Sequence, residues 1–179
     1  DEVLSRMRRG YTGDDYRRVV ERVRARIPNV SMSTDLIVGF CGETDTQFER
    51  TLDMIRDVRF DKVHSAIYST RENTFADRKF VDDVPQEVKK ERLSAIDEAQ
   101  AAIQAELNTR FQDQTIDVLI EGTKRGQIHG RSRNDKLVYV KGADAMIGHT
   151  VPVNIEHTSP WSLKGRFVPI AEGILEATW

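Results

Sequence analysis

Ser33-Thr34-Asp35-Leu36-Ile37-Val38-Gly39-Phe40-Cys41-Gly42-Glu43-Thr44 reads as a strand, a turn and the start of a helix. From Val30 through Met32 and Thr34 to Leu36 the residues alternate with polar neighbours, and Leu36-Ile37-Val38 is then continuously apolar. That is the texture of a parallel strand covered on both faces. Gly39 to Glu43 makes the turn, and Thr44 with Gln47 has the spacing of a capping box. Phe48, Leu52, Ile55 and Val58 put one helical face on a core, and Val63 to Tyr68 is the following strand. Upstream, Thr12 opens a helix with Asp14 and Asp15 in its first turn, and Pro28-Asn29 stop it. Tyr16, Val19, Val20, Val23 and Ile27 form its apolar face, and the residues before Thr12 read as a loop. Helix followed by β-α-β places this half in the α/β class, within a parallel sheet or barrel.

Downstream, Ser69 to Val84 is polar and without a clear period. Pro85 then suits a first helical turn, and Leu93, Ile96, Ile103 and Leu107 mark a long helix to about Asn108. From Phe111 short β-rich pieces follow: Thr115–Glu121, Gln127–Ser132, Leu137–Lys141, Thr150–His157 and Leu163–Ile170. Five such strands separated by glycines predict a small, closed or nearly closed, five-stranded antiparallel barrel, with Asn134-Asp135 as a tight turn. Two domains follow, 1–109 with the long helix as connector and 110–179. Two parallel strands cannot bury both faces of a sheet, so the first half is expected to be part of a larger protein or to be completed by a partner.

The 179 residues carry 27 basic and 29 acidic side chains, a formal charge of −2. The balance conceals a division. Residues 1–26 hold eight arginines against five acids, residues 27–110 carry 11 basic and 16 acidic residues, and 122–166 carry eight basic residues against three acids. A local +5 in the barrel segment points to a polyanion as its partner. No apolar run is long enough to span a membrane, and the opening DEVLSRMRRGY is unlike an export signal, so a cytoplasmic protein without membrane contact is expected. The single cysteine, Cys41, excludes a disulfide framework and any all-cysteine metal or iron–sulfur site built by this chain alone.

Several residues carry both a functional and a plain structural reading. Gly39 to Glu43 either lets a ligand approach backbone N–H groups at a helix start or is an ordinary βα turn. Ser33 and Asp35 share a strand face; the carboxylate either lines a barrel interior or pairs with one of the N-terminal arginines. Tyr68 and Ser69 end the next strand. Arg9 reads as a surface residue on composition alone, and Cys41 as a buried thiol. Lys124, Arg125, Arg131, Arg133 and Lys136 either contact phosphates or form a solvated face. Tyr139 and Trp161 either stack on bases or fill the barrel core. His129, His149 and His157 match no common zinc spacing.

Met7-Arg8-Arg9-Gly10-Tyr11-Thr12, Ile27-Pro28, the Ser33–Thr44 stretch, Tyr68-Ser69-Thr70-Arg71 and Val88-Lys89-Lys90-Glu91-Arg92-Leu93 resemble, in order, landmarks of the radical S-adenosylmethionine (SAM) methylthiotransferase family. Gly130-Arg131-Ser132-Arg133-Asn134 and Leu137-Val138-Tyr139-Val140 are similar to the RNA-binding TRAM domain of these enzymes. The resemblance covers essentially the whole chain. Ser-Thr-Asp before Leu-Ile-Val-Gly looks like the MiaB branch, which modifies tRNA, more than the RimO branch, which modifies a ribosomal protein.

The resemblance implies the C-terminal part of a partial (β/α) barrel, then an OB-like TRAM barrel. It implies an enzyme that adds a methylthio group to C2 of N6-isopentenyl adenosine beside the anticodon, using SAM and two [4Fe–4S] clusters. SAM would be met by Ser33, Asp35, Gly39, Phe40, Gly42, Glu43, Tyr68 and Ser69. The tRNA anticodon stem-loop would be met by Arg9, Arg71, Lys124, Arg125, Arg131, Arg133 and Lys136. A sulfur donor system and a monomeric parent are further implied. The chain departs from the family at Cys41, where proline is usual, and at Asn73, where glycine is usual. The cluster cysteines are not among its residues, so alone it is expected to be inactive and to hold no catalytic or metal-ligating residue. Methylthiolation of a ribosomal protein and a non-catalytic RNA-binding module stand as the alternatives.

Overall fold

The computed structural model describes residues 1–142 and 145–169. They fall into two compact units, Asp1–Ile103 and a second from Gln104 onward. No helix among the described residues is long and apolar enough to cross a membrane.

The first unit contains α1 (Glu2–Arg6), α2 (Gly13–Arg26), β1 (Ser33–Val38), α3 (Asp45–Val58), β2 (Lys62–Ile67), α4 (Phe75–Lys79) and most of α5 (Gln86–Asn108). The two expected caps form. The Thr12 side chain accepts from Asp15 N while Asp15 accepts from Thr12 N, and Thr44 and Gln47 do the same for α3. The short helix α1 replaces a stretch that reads as loop, and α4 falls in the polar run without a clear period. Five residues make less than two turns, too few for an apolar period to show. α4 is fixed instead by Thr74, whose side chain accepts from Asp77 N.

β1 and β2 pair in parallel, from Ser33 opposite Lys62 to Val38 opposite Ile67. Thr34, Leu36 and Val38 with Val63, Ser65 and Ile67 form the covered face. The Tyr16 hydroxyl of α2 donates to Thr34 Oγ1 at 2.9 Å, and Ser65 Oγ donates to Asp97 of α5 at 3.0 Å. Ser33, Asp35 and Ile37 with Lys62, His64 and Ala66 are exposed. The expected double coverage is thus only half met, because the described chain has helices for one face and nothing for the other.

α5 also departs from its apolar reading. Ile96 and Ile103 are buried as expected, but Leu93 and Leu107 are only half-buried. The rest of the buried stripe is polar: Lys89, Arg92, Gln100, Gln104 and Asn108. Of these, Lys89, Arg92, Gln100 and Asn108 donate to backbone carbonyls outside α5, as Gln100 Nε2 does to Phe60 O at 3.0 Å.

The second unit contains the end of α5, a 3-10 turn at Thr109–Phe111, and β3 (Thr115–Lys124), β4 (Gln127–Ser132), β5 (Leu137–Lys141), β6 (Thr150–Thr158) and β7 (Leu163–Phe167). They close into a barrel in the order β3-β4-β5-β7-β6. The expected strands are present, with β3 longer and β7 shorter; Ile170, placed in the last strand by sequence, lies outside the described residues. One correction is topological. β5 and β7 pair in parallel, because five strands of alternating direction cannot close into a ring without one like-directed pair. Asp135 takes the tight turn at φ 56°, as Asn134-Asp135 predicts. Val118, Ile120, Val138, Val153, Ile155 and Leu163 fill the interior at 1% exposure or less. Each contributes roughly 1.5–3 kcal/mol of apolar burial. At Gly165 a Cβ would sit 2.2 Å from Asn154 O, so β6 and β7 approach more closely there than any side chain permits.

Candidate functional site

Parallel pairing brings the C-terminal ends of β1 and β2 to one edge, the usual place for a ligand in parallel sheets. Gly39–Glu43 and Tyr68–Arg71 meet there, with Tyr68 N donating to Val38 O at 2.9 Å. Phe40 is buried and meets the Tyr68 ring edge-on at 4.9 Å and the Phe80 ring at 6.0 Å. Phe75 packs on Phe80, and the Arg8 guanidinium lies 3.5 Å above the Phe75 ring. Cys41 is buried beside Tyr68. Burial first, then the hydrogen bond with the Cys41 thiol, push the Tyr68 phenol above the ordinary tyrosine range.

The turn is braced from within. Gly39 adopts φ 73°, and a Cβ there would lie 2.4 Å from Lys89 Cγ. Gly39 N donates to Glu43 Oε2 at 2.7 Å, and Arg92 donates to the same oxygen at 2.9 Å and to Glu43 O at 3.1 Å. Gly42 N donates to Asp83 at 2.6 Å, while Arg6 donates to Gly42 O at 3.2 Å. Lys89 Nζ donates to Asp82 at 2.5 Å and to Tyr68 O at 3.3 Å. The sequence leaves Gly39 to Glu43 either as a ligand-facing turn or as an ordinary βα turn; here carboxylates of the chain itself accept from the Gly39 and Gly42 amides. Lys89 and Arg92 were visible only as part of a family landmark. Their spacing with Ile96 on one face of α5 is the signal that could have placed them inward.

Ser33 and Asp35 lie on the uncovered face of the sheet, and Tyr68 and Ser69 at its end, with Ser69 exposed. No ion pair joins Asp35 to the N-terminal arginines among the described residues. Arg9 and Arg71 are exposed.

In the barrel, Lys124, Arg125 and Arg133 are exposed. Arg131 is engaged by Asp135 at 3.3 Å and faces Glu121 at 3.8 Å. Lys136 is 8% exposed, so its place among surface phosphate contacts is corrected. Its neighbours explain this: the alternation that buries Val138 and Val140 also turns Lys136 inward. Tyr139 stands outside the barrel core and Trp161 is 60% exposed, so neither fills the interior. His129, His149 and His157 do not converge, and among the described residues no three His, Cys, Asp or Glu side chains gather as metal ligands.

Residues 1–55 match the radical SAM superfamily, and residues 110–168 match the TRAM domain. The chain is 43% identical over 168 residues to the tRNA-2-methylthio-N(6)-dimethylallyladenosine synthase of Chloroflexus aurantiacus, covering 92% of this chain and 36% of that protein. It is 42% identical over 174 residues to the synthase of the same name from Halalkalibacterium halodurans, covering 96% of this chain and 32% of the relative. For Dehalococcoides mccartyi the identity is 40% over 172 residues, covering 96% and 41%. The chain therefore spans about a third of the length of the curated relatives it matches. The chain thus carries a radical SAM match followed by a TRAM match, and about 40% identity to these synthases runs through nearly all of it.

Proposed function

We propose that this chain is part of a tRNA methylthiotransferase that places a methylthio group on C2 of N6-isopentenyl adenosine beside the anticodon. The observation that supports this most directly is one chain joining a radical SAM strand-end rim to a TRAM barrel with exposed cations, at about 40% identity to synthases named for that product. When bound, SAM would supply the methyl group and the radical. The exposed Ser33 hydroxyl and Asp35 carboxylate fit its polar groups, since the carboxylate has no ion pair among the described residues. Gly39, Phe40, Gly42 and Glu43 shape the turn above them, and Tyr68 and Ser69 close the strand end. Arg9 and Arg71 are the cations of this unit for RNA, and Lys124, Arg125, Arg131 and Arg133 those of the barrel. A [4Fe–4S] cluster does not fit on this chain: Cys41 is its one thiol, 3% exposed and packed beside Tyr68. The cluster ligands, a sulfur donor system and a monomeric, cytoplasmic parent belong to the same reading.

Nucleoside mass spectrometry of total tRNA after deletion of the gene tests it. The expected result is loss of the methylthio mark with isopentenyl adenosine intact. An unchanged tRNA profile would overturn the reading and redirect the search to a methylthiolated ribosomal protein.

A further inference from the structure

We infer that the outer wall formed by β4, β5, β7 and β6 holds a nucleotide of single-stranded RNA, its base unstacked against Tyr139 and its phosphates on Lys141 and Lys164. This site rests on the RNA-binding reading above and gives it a place and a strandedness.

The strand register builds the wall. Tyr139 of β5 lies opposite His129 of β4 on one side and Lys164 of β7 on the other, and Lys164 lies opposite His157 of β6. Side chains alternate along a strand, and Val138, Val140, Leu163 and Ile155 all point into the core. His129, Tyr139 and Lys164 therefore form a row on the outside, and the register shift between Ile155 and His157 brings the exposed His157 beside Lys164. One step along, Lys141 lies opposite Arg166. Between the rows is an open cleft of about 380 Å3, lined by Gln127, Tyr139, Lys141, Glu156, His157 and Lys164. Sites for small organic groups run from about 300 to 1,000 Å3, so a single nucleotide suits the space and a duplex does not enter it.

The charge of the cleft is positive. Lys141 and Lys164 are exposed, and neither has an ion pair among the described residues. The one carboxylate in the lining, Glu156, is engaged by Arg166 at 3.3 Å. Tyr139 leans on the His129 ring at 6.5 Å and 48°, and its hydroxyl has no hydrogen bond among the described residues. Its ring therefore offers the cleft an aromatic surface with a free polar tip. An aromatic platform beside exposed lysines recognises a base removed from its stack together with its backbone, whereas duplex RNA buries its bases and shows only phosphate and ribose.

Fluorescence anisotropy with the whole chain tests the site, using a short labelled oligouridylate and the same strand annealed to oligoadenylate. Tyr139→Ala is expected to weaken single-strand binding roughly tenfold. Tyr139→Phe keeps the ring and should stay within about twofold of the parent chain. Lys164→Gln should lower the salt slope by about one phosphate's worth and, being at an exposed position, leaves the barrel folded. Photo-crosslinking of the unaltered chain should map to β5 or β7. Unchanged single-strand affinity in both Tyr139→Ala and Lys164→Gln, or crosslinks confined to Lys124–Arg125 and Arg133, would overturn the cleft while RNA binding itself stood. Failure of the unaltered chain to bind either RNA would overturn both readings.

Discussion

Arg92 and Glu43 are 49 residues apart in sequence and form a buried ion pair whose two side chains are 6% and 4% exposed. Removing one partner of such a pair leaves the other charge without compensation, at a cost of about 3–5 kcal/mol. Arg92→Met should therefore destabilise the first unit by about that amount in urea unfolding followed by circular dichroism. Glu43→Gln placed on top of it should restore part of the loss, because the charge left behind is then removed. A loss below about 1 kcal/mol for Arg92→Met would show that the pair does not brace the turn. The location of this turn was legible in the sequence, since Gly39, Gly42 and the Thr44 cap are local signals. Its braces were not. Asp83, Lys89 and Arg92 reach the turn only through tertiary folding, and a helix carrying Lys and Arg reads as solvated until it is seen what the helix packs on.

Among the elements, those set by neighbours in sequence were the readable ones. Both capping boxes satisfy their own helix start, and Thr12 holds the Asp15 carboxyl below its ordinary range mainly through hydrogen bonds. That stabilisation is present above the unfolded aspartate pKa and is lost as pH falls through the lowered one. The parallel β5–β7 pair was illegible for the opposite reason: it follows from ring closure, a property of all five strands together. Closure also governs Gly165, which sequence alone offers as one punctuating glycine among several. Gly165→Ala would force a Cβ to within 2.2 Å of Asn154 O and 2.7 Å of Val153 Cγ1, so the β6 backbone must move. The expected cost is about 1–3 kcal/mol or more, read as a lower melting temperature of the second unit. A melt that coincides with the parent chain would mean that β6 and β7 are not packed as closely as described.

For the molecule as a whole, composition already separated an arginine-rich start, an acidic middle and a basic barrel segment. Both units have a buried apolar core, and what separates them is how their strands are paired. The barrel closes on itself, so every strand has two hydrogen-bonded neighbours. β1 and β2 have only each other among the described residues, with Ile37 38% exposed on the uncovered face. An unpaired strand edge loses cooperative protection, and local opening there costs less than unfolding a closed barrel. Hydrogen exchange on the whole chain should accordingly show the amides of β1 and β2 exchanging well before those of β3, β4 and β6, and by a separate opening. Arg92→Met should speed exchange in β1 and β2 and leave the barrel unchanged, because the braces it removes lie in the first unit alone. Equal protection of all seven strands would overturn this separation, and would require β1 and β2 to be covered by something other than the described residues.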